Sequence, residues 1–284
     1  MVKIIINADD LGLNPLVNST IDEALAEGYI TSSTILANSD SLDDVKRIVE
    51  KYPHASFGIH LNLTSGQSLT LSPIFKKYAI IDDDGYFIMK QSFRICPNAN
   101  DELKQAIKEE WRAQIELLIE NGFCISHADG HHHCHTWYGL SEVFCELMND
   151  FAITKVRQKY RFPSKPTFLG MMKAILAKVS MFLGFKLYKY NDVFSKHFAD
   201  ECYYIAYNNS LTEAGIFSPT YFCSYKDMYN LYVSSRLHIN DNSIIELMCH
   251  PGSERFRDEY EQIIRDVIGV NNGPMFHLVS YNQL

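Results

Sequence analysis

The chain has 284 residues, 46% of them hydrophobic, and a formal net charge of −8. That length can bury an ample core as one large α/β domain or two small ones, and the acidic balance argues against general nucleic-acid binding. Seven cysteines, at 96, 124, 134, 145, 202, 223 and 249, form no CxxC pair, which excludes a zinc knuckle or a dithiol redox motif, and no apolar run reaches the ~20 residues of a membrane span.

Residues 2–8 read as a strand apolar enough to be buried on both faces, ending in Asp9-Asp10-Leu11-Gly12. Because this strand follows Met1 directly, no signal peptide is read and a cytoplasmic setting is expected. Asn14-Pro15 then opens a helix with a cap and a first-turn proline, its face drawn from Leu16, Ile21, Ala24 and Leu25, and Gly28 ends it. A strand at 30–36, a helix from Asp40 or Ser41 to 52 and a strand at 55–59 ending at His60 complete a β-α-β-α-β pattern, the sign of a parallel sheet. Residues 62–98 break that pattern, and a connection this long is usually functional. Asn100-Asp101-Glu102 caps a helix over 103–120 with Leu103, Ile107, Trp111, Ile115, Leu118 and Ile119 at helical spacing, and Asn121-Gly122 stops it. A short strand is expected at 124–128, a helix at 140–151, and a strand at 153–156 ending at Arg157.

The segment 155–190 holds nine Lys or Arg and no acid, leaving 17 basic against 34 acidic residues elsewhere. A helix at 168–185 within it reads either as packed in a cap or homodimer interface, or as a basic face for anionic lipid or a phosphorylated ligand. Residues 192–238, rich in Tyr and Phe, are the least legible part and are expected to mix a lid with helices. A strand at 243–249 ends at His250-Pro251-Gly252. A helix over 254–268 and a last strand over 275–279 follow.

The densest stretch is Asp129-Gly130-His131-His132-His133-Cys134-His135, just past a strand, with Gly130 expected to permit a sharp turn. In parallel α/β barrels chemistry collects at the C-terminal ends of strands. Here the strands end in Asp9-Asp10, His60, the 129–135 run, Arg157 and His250. Asp10, His60 and one histidine of the run make a mixed oxygen and nitrogen set for a catalytic divalent metal. Asp9 beside it is placed to take a proton from water, and His250 to give one to a leaving group. Arg157 is expected to pair with an active-site carboxylate. His132, His133 and His135 cannot all be ligands, because neighbours in a turn point apart.

These blocks resemble a known family. Asn7-Ala8-Asp9-Asp10-Leu11-Gly12, Thr31-Ser32-Ser33-Thr34, Gly58-Ile59-His60-Leu61-Asn62-Leu63-Thr64, the run from His127 to His135 and Met248-Cys249-His250-Pro251 are similar to the YdjC/ChbG-like carbohydrate deacetylases. The resemblance implies an irregular (β/α) TIM-like barrel related to polysaccharide deacetylases, here one domain over 1–284 with insertions at about 62–98 and 158–190. It implies removal of an N-acetyl group from an amino sugar or oligosaccharide. It places the metal ligands on Asp10, His60 and His131, the base on Asp9 and the acid on His250. Asp129, His133, Arg157 and Asn62 are then expected to support the ligands or meet the substrate. The family is usually described with magnesium, whereas two histidines suit zinc. The basic segment departs from chitobiose-type members and adds a phosphorylated or lipid-linked sugar, and peripheral membrane contact through 158–190, to the expectations. Another metallohydrolase, such as a phosphoesterase, and a non-catalytic carbohydrate-binding protein are the competing readings.

Overall fold

A computed structural model describes residues 2–159, 172, 193–224, 226–228, 230, 234, 239–240, 242–258, 260–263 and 276–284. Apart from Met172, the helix expected at 168–185 and the rest of the basic segment beyond 159 lie outside the described residues, as does the end of the 254–268 helix.

The frame is a parallel sheet. Its strands are β1 (Val2–Leu11), β2 (Ser32–Ile35), β3 (Ser56–Leu61), β4 (Ala128–Gly130), β5 (Tyr221–Ser224), β6 (Ile244–Cys249) and β7 (Phe276–Leu278). They run in the order β4-β3-β2-β1-β6-β5, and β7 pairs with the start of β1. Two parallel bridges, Ala128 with Val156 and Lys155 with Phe217, carry the pairing on from β4 to a point four residues before β5. The sheet is curled. Four strand spacings of about 4.8 Å would separate β4 from β6 by roughly 19 Å in a flat sheet, yet one guanidinium, Arg157, bonds both Asp129 of β4 and Glu246 of β6.

Helices pack on the outside. α1 (Pro15–Ala26) starts at Asn14, whose side chain accepts from Val17 N, with Pro15 in the first turn. Its buried face is Val17, Asn18, Ile21, Ala24 and Leu25; Leu16 is 59% exposed and does not join it. α2 spans Leu42–Lys51. The 62–98 connection holds two short helices, α3 (Pro73–Lys77) and α4 (Met89–Ile95), and two antiparallel bridges, Gln67 with Tyr86 and Ile81 with Phe87. α5 (Asp101–Glu120) buries Leu103, Ile107, Trp111, Ile115 and Leu118, each such side chain contributing about 1.5–3 kcal/mol when fully buried; Ile119 faces out. α6 is Ser141–Asp150 and α7 is Val193–Glu213. No helix among the described residues is long and apolar enough to cross a membrane.

Three sequence expectations shift. The strand expected at 124–128 is β4, which begins only at Ala128. Ser126 instead spends its backbone N–H and its hydroxyl on the same carbonyl, Phe57 O, and so leaves the regular ladder. The strand expected at 153–156 is reduced to the two bridges. Gly130 is extended, with φ −157°; the sharp turn falls on His132 and His133, both left-handed at φ 52° and 57°. Gly130 is needed for a different reason: a Cβ there would lie 2.9 Å from Cys134 Sγ and 3.0 Å from His135 Nδ1.

Candidate functional site

Neighbouring residues of a strand normally face opposite sides. Asp9 and Asp10 do not. Ala8 pairs with Ser33 and Leu11 with Ile35, so β1 carries one extra residue between them. This bulge, with Asp10 left-handed at φ 72°, turns both carboxylates into the curl. A non-glycine residue held there costs about 1–3 kcal/mol and persists where the surroundings over-determine it.

At the mouth of the curl, Asp10 Oδ1 lies 2.7 Å from His131 Nδ1 and 3.2 Å from His60 Nε2. Despite those distances this buried oxygen has no aligned hydrogen-bond partner. The three ligand atoms all lie within 4.8 Å of one another. That is how one carboxylate and two imidazoles stand around a cation. On the far side of the ring, His60 Nδ1 sits 2.6 Å from Asp129 Oδ1, the carboxylate–histidine arrangement that fixes a ligand's tautomer. A second group, Asp9, His60 and Asp129, is equally close. Its two carboxylates already share the Arg157 guanidinium, so the cation there is Arg157 itself.

Arg157 is fully buried and uses its whole fork. Nη1 and Nη2 donate to Asp9 Oδ2 and Oδ1 at 2.7 and 2.6 Å, Nη1 also lies 2.7 Å from Asp129 Oδ2, and Nε donates to Glu246 Oε1 at 2.8 Å. Asn7 Nδ2 donates to Asp9 Oδ1 at 3.0 Å. Tyr207 of α7 bonds the Arg157 carbonyl, which ties the helix to the site. His250 Nε2 lies 3.8 Å from Asp9 Oδ2, with its ring stacked on Phe256. Below, Tyr281 donates to Glu246 Oε2 at 2.6 Å and stacks on His127 at 3.8 Å. Gly58 makes room for that ring, since a Cβ would lie 2.5 Å from His127 O and 2.8 Å from the imidazole.

Burial opposes the charge on Asp9, but Arg157 holds its carboxyl far below the usual range. Burial likewise opposes Asp10, and His131 and His60 hold it well below its ordinary value. Burial disfavours the imidazolium of His60, but Asp129, Asp10 and Asp9 push its pKa up to about 10. Burial pushes Glu246 up to about 7 against the pull of Arg157 and Tyr281. Burial takes His132 down to about 4 and His133 to about 3, so both are neutral near pH 7.

The structure therefore brings Asp9, Asp10, His60, Asp129, His131, Arg157 and His250 together. His133 is half-buried and packs against Phe222, with ring centroids 5.4 Å apart. His135 is buried between Phe144 and Tyr207. Asn62 stands one step back: its side chain accepts from Thr64 N and Ser65 N and donates to Ser65 O and Asn38 Oδ1, bracing the loop. Thr64 Oγ1 in turn meets His132 Nδ1 at 2.8 Å. Glu246 and Tyr281 were not read from the sequence. Glu246 had a signal, a lone acid inside an otherwise apolar strand; Tyr281 had none.

A family model described as YdjC-like protein matches residues 3–268. The chain belongs to the YdjC-like family. Among curated proteins, a carbohydrate deacetylase of Halalkalibacterium halodurans is 32% identical over 167 residues, 59% of this chain and 65% of the relative. One from Oceanobacillus iheyensis is 34% identical over 155 residues, 54% of this chain and 63% of the relative. A third, from Danio rerio, is 31% identical over 157 residues, 55% and 49% of the two chains. The chain thus spans less than two thirds of the length of these relatives. A crystal structure of an Enterococcus faecalis protein, provisionally described as a cellobiose-phosphate cleavage protein, superposes with a TM-score of 0.67 over 99% of this chain and 98% of that one. At 20% identity it shares the YdjC-like chain's fold.

Proposed function

We propose that this YdjC-like chain is a metal-dependent hydrolase that removes the N-acetyl group from an amino sugar or oligosaccharide. We read the curled sheet as an irregular (β/α) barrel of one domain, supported by the bridges that carry pairing on from β4 toward β5. The observation that carries the function is the clustering of Asp10 Oδ1, His60 Nε2 and His131 Nδ1, with Asp9 and His250 beside them. Curated YdjC-like relatives named carbohydrate deacetylase support the same reaction.

Asp10, His60 and His131 are the residues that would hold the ion. A divalent ion there supplies Lewis acidity, acidifying a water and polarising the acetamide carbonyl. One carboxylate and two imidazoles favour zinc or another transition metal over magnesium. Asp9 takes the proton from the attacking water; Arg157 and Asn7 fix its carboxylate in place. His250, across the site from Asp9, delivers a proton to the departing sugar amine as the amide C–N bond breaks, leaving acetate. Asp129 keeps the proton of His60 on Nδ1, so Nε2 offers its lone pair to the ion.

The test is acetate release from a panel of N-acetylated sugars, free, phosphorylated and lipid-linked, with metal stripped and restored. Metal-dependent acetate release is expected. Metal binding without acetate from any member would overturn the deacetylase reading.

A further inference from the structure

The ring of His131 continues outward into a row of aromatic side chains. His132 stands 4.1 Å from His131, Phe93 of α4 lies 5.4 Å from His132, and Trp137 lies 5.5 Å beyond Phe93 (all between ring centroids). Phe93 is 44% exposed although it lies between the rings of His132 and Trp137. Its neighbours are fixed. His132 is held left-handed with Nδ1 against Thr64 Oγ1, which leaves Nε2 for a ligand hydroxyl. Trp137 N bonds Cys134 O. Just beyond α4 the chain presses on the turn after Trp137, where a Cβ on Gly139 would lie 2.9 Å from Pro97 O. Glu110 of α5 clamps the near end of the same connection, accepting from Ser68 Oγ, Leu69 N and Thr70 N. The 62–98 connection is thus built to present one half-open ring at the edge of the metal cluster.

We propose that Phe93, backed by Trp137 and flanked by His132, is a stacking platform for a sugar ring adjoining the one that carries the scissile acetamide. A pyranose ring has an apolar C–H face and an edge of hydroxyls. The Phe93 ring covers such a face, and His132 Nε2 meets such an edge. The platform makes the 62–98 connection the element that prefers an oligosaccharide over a single sugar. This rests on the deacetylase reading of the site.

The test compares N-acetylglucosamine with its β-1,4-linked trimer on the metal-loaded full chain, for wild type, Phe93→Ala and Phe93→Tyr. The trimer-to-monomer ratio of kcat/KM is expected to fall roughly three- to tenfold in Phe93→Ala and to return in Phe93→Tyr. An unchanged ratio in Phe93→Ala, or a ratio that Phe93→Tyr does not restore, overturns the platform. A second readout needs no turnover. The chain has two tryptophans, and Trp111 is fully buried, so a sugar at Phe93 is reported by Trp137. The trimer is expected to perturb that emission, at roughly three- to tenfold higher concentration in Phe93→Ala than in wild type. If no sugar releases acetate, the deacetylase reading fails by itself and this titration decides the platform: a Phe93-dependent perturbation upholds it, and none removes it.

Discussion

On the helix-facing side of the sheet, Ile4, Ile6, Ile59, Leu61, Ile245 and Leu247 join the side chains of α1 and α5 in one apolar cluster. One residue along the same strands, the inner side carries Asn7, Asp9, His60 and Glu246, all buried and all polar. Both sides exclude water, but they are held by different forces. The outer side gains from removing apolar area and tolerates any well-fitting shape. The inner side is stable only as a set, because each carboxylate is compensated by Arg157 or by the histidines, and removal of one member strands the others. Burial alone therefore does not distinguish a core from a site in this fold; the sign and pairing of what is buried does.

The sharpest break between the two sides comes at the mouth. Asp10→Ala or His131→Ala is expected to abolish stoichiometric metal binding and acetate release together, read by elemental analysis of the purified chain; a full metal complement in either variant would remove that residue from the ligand set. Next in size, Asp9→Asn should keep its metal while acetate release slows by about 10²–10⁴-fold, and a rate close to wild type would take the base role from Asp9.

A matched pair then compares the sides directly. Arg157→Met leaves three buried carboxyls without their cation and should cost about 3–5 kcal/mol in urea unfolding. Leu118→Ala on the outer side should cost about 2–5 kcal/mol. The stability losses overlap; activity per folded molecule separates them, falling in Arg157→Met and persisting in Leu118→Ala. Equal loss of specific activity in both would show that the two sides are not independent.

A further effect, smallest over any single pH unit, is one of pH. His60 in the folded, metal-free protein titrates at about 10, above the ordinary 6.5. Its contribution to stability is full below pH 6.5 and is lost as pH rises towards 10. A metal ion must displace that proton, so its affinity should strengthen by about tenfold per pH unit over the same window. The melting temperature of the stripped protein should drift down across it while metal affinity climbs; a flat affinity profile would mean that His60 binds without giving up a proton.

The polar residues of the cluster were legible because each follows an apolar run, as at Asp9, His60, Arg157 and His250, although β1 and β3 run on past theirs and the run before Arg157 forms only two bridges. The helices α1 and α5 were legible from their asparagine caps, though Leu16 and Ile119 were misplaced onto the buried faces, since helical spacing alone does not say how wide the covered stripe is. The bulge at Asp9-Asp10 was not legible, because nothing in two adjacent acids states that both face inward. The left-handed turn was assigned to Gly130 by chemistry that usually holds; here the surrounding packing imposes it on two histidines. Helices were expected in 192–238 but α7 could not be placed and β5 was missed, because the segment is rich in aromatics that suit either structure and has few breakers to divide them. Glu246 was in view and passed over, as a single charge within a strand easily is.

The pairing of β1 has a consequence for how the chain is made. Residues 2–11 emerge well before two of their three partner strands, 244–249 and 276–278. During synthesis this strand waits with one edge unmatched until more than 230 residues have followed. Contacts of such long sequence separation form slowly and leave an adhesive edge open meanwhile. A strand made early is thus completed late, and until then its open edge is a place where another chain could pair.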